Sequence, residues 1–215
     1  MEDKVGQNFA KKHTYDITDN ADPNFGVDTV NRAAQKALGD KKAKISTIVT
    51  SSAVSTNLEG LRIVEFLKYT DKDGIQRDLT IGTVNGRTLI VDDDMPTEEV
   101  AASGEGDSAT AGYTKYTSYA FAKGFFEYED LGVEKPVELD RNAKEKGGHT
   151  DLISRIREII VLYMISYKGT DKKSPMNTDF ENGANWELVN NGDNGTKKVY
   201  VDDKIIPLVR IISRG

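Results

Sequence analysis

Asn85-Gly86 is the tightest constraint in this sequence. It separates residues 83–84 from the β-branched run 87–91. A two-residue Asn-Gly link between such runs is a strong hairpin signal, because both central residues of a type I′ turn need positive φ. Just upstream, Thr70-Asp71-Lys72-Asp73-Gly74 separates residues 67–69 from 75–81 and reads as another hairpin ending in Asp-Gly. The second strand of the Asn-Gly hairpin stops at Asp92-Asp93-Asp94-Met95-Pro96.

Ahead of the hairpins, residues 28–38 form the clearest helix. Val30, Ala33, Ala34, Ala37 and Leu38 recur at helical spacing and make one apolar stripe. Asp28 is the expected N-cap and Gly39 the expected C′ residue. The alanines let this helix lie close to whatever it covers. Residues 45–50 are short and β-branched and read as a buried strand; Ser51 and Ser52 then cap a brief helix with Val54 and Leu58 on one face. Residues 1–26 are polar, with a turn at Asn20–Asn24, and read as an irregular lead-in.

Residues 92–112 carry seven acidic residues and no basic one, and their ASGEGDSATAG stretch reads as a mobile surface loop. Aromatics return over 113–128, where Tyr119, Phe121 and Lys123 alternate with Ala120 and Ala122 until Gly124 breaks the pattern. Residues 142–150 read as a second flexible loop. The apolar run 152–167 does not distinguish helix from strand by period, and its β-branched content favours a strand. Residues 168–196 are turn-rich, and 198–202 with 205–213 read as a last strand pair.

Of 215 residues, 51 are Leu, Ile, Val or Phe, enough to build a packed core. The net charge is −6, which argues against a dedicated DNA-binding module but is compatible with a container around DNA. With no cysteine, disulfides, thiolate chemistry and cysteine metal sites are excluded; with only His13 and His149, so is a three-histidine zinc site. No apolar run approaches the ~18 residues of a membrane span. The start, MEDKVGQNFAKKHTYD, has no apolar stretch of a secretory signal, so the expected location is cytoplasmic unless the chain leaves inside a particle.

The chemical motifs fail on their own terms. The DKDG at 71–74 opens like a calcium loop, but the position for the bidentate glutamate is Gly82. Asp92-Asp93-Asp94 could hold magnesium, yet no G-x-x-x-x-G-K-S/T loop accompanies it, and a solvated strand end accounts for it. Gly104-Glu105-Gly106 follows no strand and opens no helix. No G-x-S-x-G elbow is present. His149, in a Gly-Gly-His loop, and His13, in the lead-in, read as exposed loop residues. Asn194-Gly195-Thr196 reads as a turn rather than a glycosylation site. The aromatics of 113–128 could stack a sugar or nucleobase, but alternating strand rings fit core or interface better. No catalytic, cofactor-binding or metal-ligating residue is therefore assigned, and no cofactor is expected.

Five phrases, in this order, resemble the major capsid (coat) protein family of tailed bacteriophages and prophages. They are VDTVNRAAQKALGD with TIVTSSAVSTNL, then NGRTLIVDDDMP, YTSYAFAKGFFEYED, VELDRNAKEKGGHTDLISRIREIIV, and Asn185-Trp186-Glu187. The most specific is NGRTLIVDDDMP, residues 85–96, similar to the family's Gly-Arg, apolar strand, paired aspartates and Met-Pro. Two departures are visible: Thr50-Ser51-Ser52 where the family has His-Ser, and Tyr167-Lys168-Gly169 for a commoner His-Pro-x-Gly. The resemblance covers roughly residues 25–215.

The resemblance implies an α+β chain with the HK-ninety-seven-like capsid fold. In that fold an axial domain is inserted into a peripheral domain with a spine helix and a β-hinge. Here residues 1–44 would be lead-in and spine-helix part of the peripheral domain, 45–130 the axial domain, and 131–215 the return to the peripheral domain. The family's N-terminal arm and extended loop are missing, which implies a truncated gene or a trimmed chain. The implied function is structural, not enzymatic: self-assembly into the icosahedral head that encloses DNA. Implied partners are other copies in capsomers and shell, scaffolding or portal proteins, and packaged DNA held non-specifically, with no membrane. The implied location is the virion, and the host cytoplasm during assembly.

Arg141, Arg155 and Arg157 are the expected intersubunit arginines, since guanidinium suits bidentate carboxylate contacts. The acidic loop 92–112 is expected at a ring axis or on the outer face, away from packaged DNA. Three alternatives stay open. An encapsulin-like shell shares the fold. A small hydrolase around His149 with Glu138, Asp140 or Asp151 predicts a concave pocket there. A ligand-binding module predicts the rings of 113–128 exposed in a groove.

Overall fold

The computed structural model describes residues 9–70, 72, 76–103, 111–144, 147–169, 172, 174–192 and 199–214. In chain order the elements are α1 (Phe9–His13), β1 (Thr14–Asp16), α2 (Thr29–Leu38), β2 (Ile45–Thr50), α3 (Ser52–Gly60), β3 (Val64–Thr70), β4 (Gln76–Val84), β5 (Arg87–Val91), β6 (Thr97–Val100) and β7 (Tyr113–Ala122). They continue as β8 (Phe126–Asp130), β9 (Val137–Asn142), β10 (His149–Ser154), β11 (Glu158–Leu162), β12 (Ile165–Tyr167), α4 (Asn177–Glu181), β13 (Trp186–Leu188) and β14 (Leu208–Ser213). The class is α+β, with strands in the majority. The chain divides into a larger unit, Met1–Phe125 with Met164–Gly215, and a smaller one, Phe126–Tyr163.

An eight-stranded mixed sheet organises the larger unit, in the order β1-β14-β7-β2-β5-β4-β3, with β6 paired to the first half of β7. The Asn-Gly hairpin forms as its chemistry requires: Asn85 has φ 52° and Gly86 φ 74°, and Val84 faces Arg87 across the turn. Asn85 also donates to the Val27 carbonyl at 2.9 Å. Arg87 donates to the Ile45 carbonyl at 3.2 Å and to Asn31 Oδ1 at 2.9 Å, tying the hairpin to β2 and to α2.

The alanine-rich stripe of α2 packs as expected. Val30, Ala33, Ala34, Ala37 and Leu38 are buried in one cluster with Ile48, Val54, Leu58, Leu89, Val209 and Ile211. Small side chains on the helix let the bulk of the core come from the sheet and from α3. Gly39 ends the helix at φ 61°. Asp28 occupies the cap position without a side-chain cap bond; instead Thr29 Oγ1 accepts from the Gly26 amide at 2.9 Å, while Asp28 lies 3.6 Å from Arg32.

Several expectations are corrected. The lead-in is not irregular: α1 and β1 dock on the sheet, with β1 parallel to β14 from Thr14↔Arg210 to Asp16↔Ile212. The acidic stretch 92–112 contains β6, an edge strand; residues 104–110, including Gly104-Glu105-Gly106, lie outside the described residues. The run 152–167 is not one strand but parts of β10, β11 and β12; residues 155–157 separate the first two, and Met164 at φ 59° turns the chain between the last two. Among the described residues, 199–202 and 205–213 do not pair; β14 lies between β1 and β7, while Tyr200 bridges to Asn190. The turn-rich segment 168–196 also builds α4 and β13, and a small aromatic cluster in which Tyr167 and Trp186 rings are 5.1 Å apart. Asp71 with 73–75, and 193–198 with Asn194-Gly195-Thr196, lie outside the described residues.

Candidate assembly surface

The smaller unit is built from two antiparallel ladders. β8 pairs with β11 from Phe126↔Leu162 to Asp130↔Glu158, and β9 pairs with β10 from Val137↔Ser154 to Asn142↔His149. The crossings between ladders are fixed by two backbone bonds, Leu131 N to Arg157 O at 3.0 Å and Arg155 N to Pro136 O at 2.9 Å. Gly147 at φ 73° and Gly148 at φ 90° lead into β10. The "flexible loop" 142–150 thus contains the ends of two paired strands, with residues 145–146 outside the described residues.

Among the described residues of this unit none is buried. Yet its sequence is that of a core. Leu139 and Leu152 sit directly opposite each other, and each is 69% exposed. Ile156 is 78% exposed. Along β11, Ile159 and Val161 point to one face and Ile160 and Leu162 to the other, and Ile159, Ile160 and Val161 are all exposed. Phe126 and Tyr128 stand beside Leu162 and Ile160, also exposed. A strand apolar on both faces belongs between two covering layers. The β9–β10 ladder is two-stranded, and two strands alone are marginal in water.

The expected arginines fall in or beside these ladders. Arg155 pairs within the chain, its Nη1 2.9 Å from Glu138 Oε2, so it is already engaged; Arg141 and Arg157 are exposed. The structure also brings the histidine cluster onto one ribbon face: His149 and Asp151 on β10, opposite Asn142 and Asp140, with Glu138 further along β9. His149 Nε2 lies 3.4 Å from Asp151 Oδ2. His149 is half-buried at the start of β10 rather than loose in a loop. That face is open and two-stranded. The described cavities lie instead in the larger unit, one of about 340 Å³ beside Tyr15, Asp22 and Arg32 and one of about 60 Å³ beside His13.

The aromatics of 113–128 do not act as one set. Tyr113, Tyr116, Tyr119 and Phe121 are half-buried on β7, Phe125 is buried, and Phe126 and Tyr128 are exposed on β8. Tyr113 is covered by the Arg214 guanidinium, 3.6 Å from its ring centre.

The triple aspartate has a local structural role. Asp92 N donates to Thr50 O at 2.8 Å, Asp92 Oδ1 accepts from Asp94 N at 3.0 Å, and Asp93 Oδ1 accepts from Ser52 N at 2.8 Å. These bonds to Ser52 hold the Asp93 carboxyl below its ordinary range. Among the described residues no group of three His, Cys, Asp or Glu side chains is gathered as a metal ion would need. No family model matches the chain, and no curated protein matches it.

Proposed function

We propose that this chain is a structural shell subunit, the major capsid protein of a tailed bacteriophage or prophage, with the HK-ninety-seven-like fold. The observation that carries the reading is the smaller unit: apolar on both faces of β11 and without a buried residue among those described, it calls for a partner to supply the missing layer. Burying a single exposed Leu or Ile is worth roughly 1.5–3 kcal/mol, so a few such side chains per contact give lateral binding that many subunits multiply. The order of the five sequence phrases supports the family within that class. On this reading residues 1–44 are peripheral, 45–130 axial and 131–215 peripheral again.

The partners are then further copies of the chain, with scaffolding or portal proteins during assembly and DNA held without sequence preference. The location is the virion, preceded by the host cytoplasm. Catalysis is not part of the function.

Negative-stain microscopy of the purified chain at high concentration tests this. Rings, sheets or shells are the expected result, and nucleic acid inside closed particles separates a phage head from a shell for protein cargo. Dispersed single particles at every concentration, together with hydrolytic turnover lost in His149→Ala, would overturn it in favour of the enzyme.

A further inference from the structure

His13 is only 3% exposed, against its expected place in a loose lead-in. Its Nδ1 lies 2.5 Å from the Leu208 carbonyl oxygen. A carbonyl only accepts, so the ring proton sits on Nδ1 and Nε2 keeps its lone pair. Among the described residues, that Nε2 is buried and makes no close hydrogen bond, although the Asp203 backbone stands near the ring. The imidazole stacks on Phe9, ring centres 4.3 Å apart, and lines the 60 Å³ cavity with Tyr119 and Arg210.

The charged groups around this site come from every packed element. Lys12, on the same helix, pairs with Asp203 at 2.7 Å. From α2, Lys36 donates to the Thr14 carbonyl at 2.9 Å; from β14, Arg210 donates to Thr14 Oγ1 at 3.0 Å. Of these groups Asp203 favours a further proton on His13 and Lys12 opposes it more weakly, so burial of the ring is what disfavours the charge.

The residues His13 anchors are α1 and β1. β1 has three residues and is the outermost strand on its side of the sheet, held by its ladder to β14 and by Ile17 N to Ile212 O at 3.0 Å.

We propose that His13 is an acid-sensitive latch, holding residues 9–16 against β14 while its imidazole is neutral and releasing them when Nε2 takes a proton. Release would turn β14 into the sheet edge. The sign follows from where the proton is preferred. Burial is the largest influence and holds the docked His13 below 6.5, the Leu208 carbonyl and Asp203 only partly opposing it. The released segment therefore takes the proton first. Docking is at full strength above about pH 6.5 and weakens as pH falls below it. For Asp203, burial pushes the carboxyl up, but hydrogen bonds, that from Lys12 foremost, bring it below the usual range, so this pair persists through the same window.

Hydrogen exchange on the full chain, expressed as protection factors at pH 7.5 and pH 5.0, tests the latch. In the unsubstituted protein, protection at residues 14–17 is expected to be lost in part at the lower pH, while β2 and β5 hold theirs. In His13→Gln, which keeps a donor for Leu208 but does not titrate, protection at 14–17 is expected to be the same at both values. Unchanged protection in the unsubstituted chain, or an equal fall in His13→Gln, overturns the proposal. Should His13→Gln fail to fold, an NMR titration of the native His13 ring decides: a midpoint below 6.5 supports the latch and one at or above 6.5 removes it. The latch holds or fails independently of shell assembly.

Discussion

Asp93 closes the N-terminus of α3 from 41 residues away, its Oδ1 accepting the Ser52 amide at 2.8 Å. Ser51, the cap position by sequence, makes no side-chain cap bond. The bond joins the end of the Asn-Gly hairpin to the helix that follows β2, so the paired aspartates that mark the family resemblance have a physical task here. Asn85 and Arg87, from the same phrase, bind the loop before α2, α2 itself and β2.

Asp93→Ala is expected to lower the thermal midpoint, with Asp93→Asn intermediate because an amide oxygen still accepts. The contribution depends on the ionised carboxylate, whose pKa is held low by its bonds to Ser52. It is present above the ordinary value of 3.8 and is lost as pH falls through the lower folded value. Thermal melts of wild type and Asp93→Ala therefore converge at strongly acid pH. A difference that persists unchanged there would refute the cap.

Gly82→Ala is expected to destabilise the larger unit by roughly 1–3 kcal/mol, the usual cost of overpacking. A Cβ at Gly82 would stand 2.6 Å from Val64 Cγ1 across the β3–β4 ladder. Chemical denaturation reads this as a shift in midpoint. An unchanged midpoint would mean that Val64 moves aside at no cost.

Core and ribbon positions should respond oppositely to truncation. Leu58 is fully buried under α2 and the sheet, and Leu58→Ala should cost about 2–5 kcal/mol. Ile159→Ala, on an exposed position of β11, should cost clearly less than Leu58→Ala, since much of its surface is already in water. Equal losses at the two sites would mean that the ribbon has a core of its own.

Residues 28–91 were legible because their signals are local. The Asn85-Gly86 turn, the stripe of α2, the strand 45–50 and the Val54/Leu58 face each follow from spacing within a few residues. The errors lie where the outcome depends on distant partners. The five-residue α1 is too short for a period to show, and the parallel docking of β1 on β14 joins positions nearly the whole chain apart. His13 reads as exposed because nothing in FAKKH announces a buried ring. The run 152–167 reads as a strand because of its β-branched content; the break at Met164 depends on a positive φ that no glycine signals. The assembly surface was missed for the same reason: hydrophobic residues in a strand announce burial, not what will bury them.

On the proposed function, the apolar ribbon is covered by another copy of the chain. Sedimentation equilibrium over a wide concentration range, on the wild type and on Leu152→Lys/Ile160→Lys, tests it most directly. The account predicts a wild-type mass that rises with concentration above that of one chain, and a variant that stays at one chain with an unchanged melt of the larger unit. A wild type that remains a single chain throughout, indistinguishable from the variant, would contradict it.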